Sequence, residues 1–232
     1  MKAALITGAN RGIGKEIVCQ LAELGWHVIL GVRNVDSIGG LLDELKQSEG
    51  KVDWVQLDLN DSETGDLVTG LEKITDSLDV LINNAGVLLD RGVATLDMDD
   101  DVLRQTLETN VFGTARITRA LVPFLKRSSD ARIINLSSRA GQLETMADRV
   151  MAPAYQISKT ALNALTCLLA GELHDEGIAV NCMSPGWCRT DMGGAEATRS
   201  AAEGADTAVW LATEAPQSLT GKFICERVEI PW

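Results

Sequence analysis

The first thirty-odd residues leave this chain little choice of architecture. Lys2 to Thr7 is a short apolar run that reads as a buried strand, and it leads into Gly8-Ala9-Asn10-Arg11-Gly12-Ile13-Gly14. A helical segment follows, with Ile17, Leu21 and Leu24 at i, i+4 and i+7, and Gly25 is placed to stop it. His27 to Gly31 then reads as a second strand. Consecutive strands joined through a helix lie parallel, because a tight turn can only reverse the chain.

The alternation continues to the end of the sequence. Leu41, Leu42 and Leu45 lie on a predicted helix, and Val52 to Leu57 form a strand ending at Asp58. A polar helix spans about 62–75, and Val80-Leu81-Ile82 opens a fourth strand that runs into Asn83-Asn84-Ala85-Gly86. Asp99, Asp100 and Asp101 favour a helix N-terminus, and Lys126 and Arg127 its far end, so one long helix is expected from Val102 to Leu125 with Asn110 near its middle. Arg132 to Leu136 is a fifth strand, ending in Ser137-Ser138. A helix carries Tyr155, Leu162, Leu165 and Leu169 to about Asp175, and Ile178 to Met183 is a sixth strand, broken by Ser184-Pro185-Gly186. Gly204 to Leu211 is a short helix and Lys222 to Cys225 the last strand. This order predicts a doubly wound α/β fold of Rossmann type, with a mostly parallel seven-stranded sheet covered by helices on both faces. Residues 1–232 read as a single domain, since no linker or shift of composition marks a join.

Composition excludes several roles. The chain is 45% hydrophobic, with a formal charge of -12, which disfavours nucleic acid and acidic membranes as partners. No apolar run approaches the 18 or so residues of a membrane span. The five cysteines form no C-x-x-C pair and no signal peptide is evident, so a cytoplasmic location with no metal site is expected. His27 and His174 sit in no motif and read as structural or solvent-facing.

The glycine turn carries chemistry as well as geometry. Lacking Cβ atoms, Gly8, Gly12 and Gly14 permit a tight turn and let backbone N–H groups approach a pyrophosphate at the positive end of the helix. The spacing is G-x-x-x-G-x-G rather than G-x-G-x-x-G, but a strand precedes it and a periodic helix follows, so a dinucleotide is expected there. The end of the second strand separates the two nicotinamide cofactors. A carboxylate there would accept hydrogen bonds from the adenosine ribose and select NAD. This chain has Gly31-Val32-Arg33-Asn34 instead. Arg33, with Arg11 from the glycine turn, can bracket a 2′-phosphate, which predicts NADP (NADPH). Asp58 is placed to meet the adenine amino group, with Leu59 beside it.

Tyr155 and Lys159 are four residues apart and so share one helix face. A free tyrosine titrates near pH 10. Bringing it toward neutrality requires about 4 kcal/mol of preference for the phenolate. One cation roughly 4 Å away supplies that order of energy at an effective dielectric near 20. Lys159 is therefore expected to make Tyr155 a working acid and base.

Six ordered stretches now coincide: Thr7 to Gly14, Asn83-Asn84-Ala85-Gly86, Asn110, Ile134-Asn135-Leu136-Ser137-Ser138, Tyr155-x-x-x-Lys159 and Pro185-Gly186-Trp187-Cys188-Arg189-Thr190. Together they resemble the short-chain dehydrogenase/reductase family over nearly the whole chain. The Asn10-Arg11 turn, the Pro185 to Met192 run and the Gly221 to Glu229 ending are closest to its NADPH-dependent carbonyl reductases. The resemblance implies that Ser138, rather than its neighbour Ser137, holds the substrate oxygen, that Tyr155 delivers the proton, and that Lys159 lowers the tyrosine pKa and holds the nicotinamide ribose. It implies that Asn110 anchors a water relaying protons to Lys159. Gly8, Asn10, Arg11, Gly12, Ile13, Gly14, Asn84, Ala85, Gly86, Pro185, Gly186 and Thr190 would line the cofactor.

The implied activity is reduction of small apolar ketones or aldehydes by NADPH, reversible as an alcohol dehydrogenase at high pH. Two alternatives stand beside it: an NAD-favouring alcohol or hydroxysteroid dehydrogenase, and a non-catalytic NADPH-binding regulator. Asp191 to Ala202 reads as a short lid, and Leu143 to Arg149 as a segment over the pocket mouth. Leu88, Leu143, Met146, Trp187 and Met192 are candidates for an apolar lining. The tail lacks the Asp-Gly-Gly ending of many tetrameric members, which leaves monomer or dimer open.

Overall fold

A computed structural model describes all residues from Met1 to Trp232. Its single sheet has the strand order β3-β2-β1-β4-β5-β6-β7-β8. The strands are β1 (Ala3–Thr7), β2 (His27–Val32), β3 (Val52–Gln56), β4 (Val80–Asn83), β5 (Arg132–Leu136), β6 (Ala179–Ser184), β7 (Phe223–Cys225) and β8 (Val228–Glu229). The helices are α1 (Gly12–Glu23), α2 (Gly39–Leu45), α3 (Gly65–Glu72), α4 (Asp100–Leu107), α5 (Thr114–Leu125), α6 (Leu143–Met146), α7 (Pro153–Glu172) and α8 (Ala201–Thr213).

Alternate residues of the central strands feed two separate apolar clusters. Ala4, Ile6, Val28, Leu30, Val80 and Ile82 join one, closed by Ile17 and Leu21 of α1 and by Ala205, Ala208 and Leu211 of α8. Ala3, Leu5, Ile29 and Leu81 join the other, closed by Leu71 of α3, by Ile117, Leu121 and Phe124 of α5, and by Ala170 of α7. Burial on both faces is why these strands read as unbroken apolar runs.

Four expectations are corrected. The sheet has eight strands rather than seven, the last pairing antiparallel through Ile224↔Glu229 and Cys225↔Val228. The hairpin turn carries no glycine or asparagine: Glu226 (φ 53) and Arg227 (φ 62) occupy the left-handed region, which is why no hairpin signal was visible. Arg227, through its ion pair with Asp206 and its N–H on Thr207 Oγ1, and Arg199, through its ion pair with Glu226, hold that turn.

Leu24 is 58% exposed, and Trp26 is buried in its place. Gly25 (φ 75) ends α1 with its N–H on the Ala22 carbonyl and that of Trp26 on Leu21, turning the chain one residue before Leu24 can reach the core. The long helix is continuous in direction but not in pitch: a π-helical turn, Glu108–Gly113, separates α4 from α5. The last helix is longer than expected, because α8 starts at Ala201 rather than Gly204, with Ser200 and Glu203 forming a reciprocal capping box at its start.

Candidate active site

The chain crosses from one side of the sheet to the other between β1 and β4, and a cleft opens at their carboxyl ends. Its volume is about 590 Å³. Gly8 (φ 64) and Gly12 (φ 54) form one wall, and the N-terminus of α1 behind them has no side-chain cap, so its first N–H groups are left for a ligand. A Cβ on Gly12 would press on Thr190 at 3.2 Å and one on Gly8 on Ala85 at 3.0 Å. Gly14 serves differently. Its Cβ would fall 2.4 Å from the Gly8 carbonyl, so this glycine lets α1 pack against the turn and does not itself reach the cleft wall. Asn84 locks the turn from β4, donating to the Thr7 and Gly8 carbonyls at 2.8 and 3.1 Å. Thr7 answers by accepting the N–H groups of Asn84 and Ala85, each at 3.0 Å.

At one end of the cleft stand Asn10, Arg11, Ile13, Arg33, Asn34, Ser37, Leu57, Asp58, Leu59 and Asn60. Arg33 is exposed and its guanidinium meets no carboxylate. Arg11 is turned toward Asp191 instead, at 2.6 Å, both side chains being mostly solvent-exposed. The two arginines thus share the wall, but only Arg33 is uncommitted.

The other end is built on α7. Pro153 starts this helix at a position that needs no N–H. The buried Asp90 accepts the N–H groups of Ala154 at 2.6 Å and Tyr155 at 3.4 Å. One turn on, Lys159 lies under the Tyr155 ring, its Nζ 5.5 Å from the ring centroid and donating to the Leu136 carbonyl at 2.7 Å. The two serines after β5 have different partners, and Ser137 rather than Ser138 is among the residues lining the cleft. Ser137 points inward and donates to Asn163 Oδ1 at 2.5 Å. Ser138 faces Tyr155 and favours its ionised form.

The electrostatics differ from expectation. Burial pushes the Tyr155 phenol up to about 12, against smaller opposing pulls from Ser138 and the Arg91 charge. Burial also pushes Lys159 down, to about 8. The expected lowering of Tyr155 by Lys159 is not present in this arrangement, because burial strips Lys159 of its proton at about 8, well before a phenol held at about 12 ionises.

The comparisons with known proteins agree with the geometry. Residues 2–201 match the family model of the short chain dehydrogenases. The chain belongs to the short-chain dehydrogenase/reductase family. It is 35% identical to the short-chain dehydrogenase anuI of Penicillium roqueforti, over 98% of this chain and 96% of that one. It is 29% identical to carbonyl reductase (NADPH) 1 of Homo sapiens, over 99% and 98%. The solved carbonyl reductase Sniffer of Drosophila melanogaster superposes at a TM-score of 0.90, with 29% identity and full coverage of both chains. Within the family the chain therefore lies near the carbonyl reductases, and it is an oxidoreductase of a fold that binds a nicotinamide cofactor.

Of the residues expected at the cofactor only Gly14 and Gly186 are off the wall of this short-chain dehydrogenase's cleft, and of the expected catalytic set Asn110 and Ser138 are off it. A Cβ on Gly186 (φ 77) would meet the Arg199 side chain at 2.7 Å, so this position serves the turn. The Asn110 side chain is largely used by the protein: its Oδ1 accepts from the Val87 N–H at 2.8 Å, and its Nδ2 donates to the Val87 carbonyl and Ser158 Oγ, both at 2.9 Å. One lone pair remains to it, so it acts first as a clamp between the β4 loop and α7. Of the expected apolar lining only Met192 is on the wall, while Leu143 and Trp187 stand exposed at 68% and 49%.

Sequence reasoning missed Asn34, Ser37, Asn60, Val87 and Thr109 on the wall. The first three sit just past β2 and β3, and their place at strand ends was the available signal. It also missed Asp90, which lies 64 residues from the N–H group it holds at 2.6 Å and belongs to no local pattern.

The residues present fit the dinucleotide. An uncapped helix end, glycines whose Cβ atoms would obstruct the turn, and a free arginine at the far wall suit a pyrophosphate and an added phosphate respectively.

Proposed function

We propose that residues 1–232 form one catalytic unit that reduces aldehydes or ketones to alcohols with NADPH, and reverses as an alcohol dehydrogenase at high pH. The observation that carries this reading is the buried pair of Tyr155 and Lys159 at the inner end of a cleft whose outer end offers Arg33, with the half-buried Ser138 facing Tyr155 from behind the wall. NADPH, when bound, supplies the hydride and leaves as NADP⁺. Ser138 holds the carbonyl oxygen by hydrogen bond and Tyr155 gives that oxygen its proton. A phenol at about 12 keeps its proton through the physiological range, which suits an acid in the reductive direction. Lys159, protonated below about pH 8, holds the nicotinamide ribose and is the nearest cation for the phenolate left behind. Asn110 fixes the loop beneath the ribose, and its water-relay role rests on its remaining lone pair and the π-helical turn.

Thr190, Pro185, Ala85 and Gly86 line the nicotinamide end, and Gly8, Asn10, Gly12 and Ile13 the pyrophosphate. Arg33 is the residue we assign to the 2′-phosphate, with Arg11 able to join it by leaving Asp191. Residues 191–200 form the lid over the substrate.

A panel of small aldehydes and ketones, read by loss of nicotinamide absorbance with NADPH and with NADH, tests this directly. Turnover with kcat/KM favouring NADPH is the expected result. A preference for NADH would overturn the phosphate assignment, and tight NADPH binding with no turnover of any compound would favour a regulator.

A further inference from the structure

The loop between β4 and α4 lines the cleft at Ala85, Gly86 and Val87 and, just beyond the wall, is pinned at three consecutive residues. Asp90, 3% exposed, turns inward to cap α7 just where Tyr155 begins its helical turn. Gly92 (φ 77) donates its N–H to the Met151 carbonyl at 2.8 Å. Between them Arg91 is thrown outward, and its Nη2 donates to the carbonyl of Met192, on the cleft wall, at 2.6 Å. One residue thus joins the loop over the catalytic helix to the lid.

That hydrogen bond uses one of five guanidinium N–H donors. The other four have no acceptor in the protein, and Arg91 has no carboxylate partner although the chain carries a net charge of -12. A latch alone needs only one donor. What remains is a planar fork with a full positive charge, the geometry that matches a carboxylate with two parallel hydrogen bonds. The charge also reaches the reacting group, since it pulls on the Tyr155 phenol. Leu89 two residues before it, Met192 whose carbonyl accepts its hydrogen bond and Met151 whose carbonyl accepts that of Gly92 all stand exposed, apolar surface that suits the rest of an organic substrate.

We propose that Arg91 is the substrate-recognition residue of this cleft, and that the carbonyl compounds reduced best are oxo acids whose carboxylate it takes. This rests on the reductase reading above. Arg91 is exposed, so solvent weakens the pair, and the preference its two-pronged bond confers is on the order of tenfold rather than the larger factors of a buried site.

Benzoylformate and its methyl ester make the test, because they differ in charge and hardly at all in shape near the ketone. With NADPH, the wild-type kcat/KM ratio of acid to ester is expected to favour the acid by about tenfold or more. Arg91→Met should lower that ratio at least tenfold, and Arg91→Lys, which keeps the charge but not the fork, should fall between. A ratio unchanged in Arg91→Met, or a wild type that prefers the ester, would overturn the inference and leave only the latch. Reduction of neutral ketones without any of the acid would overturn it too, while leaving the reductase reading intact. Failure to turn over any carbonyl compound would remove that reading, and this one with it.

Discussion

The floor and the rim of the cleft are built by opposite means. On the floor, polar side chains are buried and tied to one another. Asn83 donates to Thr118 and Asn135, Asn135 to Thr166, and Asn110 joins Val87 to Ser158. On the rim, Arg11 and Asp191 pair in solvent, Arg33 has no partner and Arg91 makes a single bond to Met192. A buried hydrogen bond that loses one partner leaves the other unsatisfied, at about 1–3 kcal/mol, whereas an exposed ion pair is worth about 0–1 kcal/mol. The floor is therefore constrained by stability and chemistry together. The rim is free to decide which molecules are bound.

That contrast can be broken by substitution. The largest effect is expected on the floor, at Lys159: Lys159→Met should lower kcat by about a hundredfold or more, the scale of a lost proton-transfer partner. A change of only a few fold would detach the lysine from the reaction. Next comes Asn110→Ala, which breaks three hydrogen bonds at once. It should cost about 2–4 kcal/mol in denaturant unfolding; a cost below about 1 kcal/mol would mean that water replaces the side chain.

On the rim, Arg33→Ala should cut the NADPH over NADH preference by about tenfold to a hundredfold, with stability changed by less than about 0.5 kcal/mol. The smallest effect belongs to Asp191→Asn, expected within about 0.5 kcal/mol of the wild type by thermal unfolding. A larger loss there would show the rim to be as constrained as the floor.

The floor also has a pH signature. Lys159 titrates at about 8 in the folded protein against an ordinary 10.5. Between those values the unfolded chain holds a proton that the folded chain has shed, so this group makes stability rise with pH across the window. Tyr155, raised to about 12 from 10.0, acts the other way only above pH 10. Thermal unfolding of the cofactor-free protein should therefore show wild type gaining on Lys159→Met between pH 7.5 and 9.5. A constant gap would contradict the shift.

The same division explains what could be read from the sequence. The floor's scaffold was legible because burial on both faces writes itself as apolar runs: β5 matches its expected range, and β1, β2 and β4 differ from theirs by a residue or two. The glycine turn was legible because few other residues tolerate φ near 60°. The side-chain network was not. What Asn110 holds and that Asp90 caps α7 depend on contacts between residues far apart in the chain, and the choice of Ser138 over Ser137 to face Tyr155 came from the family resemblance rather than from any local pattern. The shift of Tyr155 was misjudged for the same reason, since proximity to Lys159 was readable but the desolvation of both groups was not. At the sheet edge the eighth strand was hidden by a Glu226-Arg227 turn that tertiary ion pairs hold in place.

In the proposed reaction Tyr155 gives its proton to a carbonyl oxygen as the hydride arrives. Single-turnover reduction by pre-bound NADPH in Tyr155→Phe tests it with least ambiguity, because cofactor binding is measured in the same experiment by nicotinamide fluorescence. NADPH affinity within a few fold of the wild type and a transfer rate lower by about 10² to 10⁴ are expected. Retained binding with an undiminished transfer rate would contradict that proton transfer.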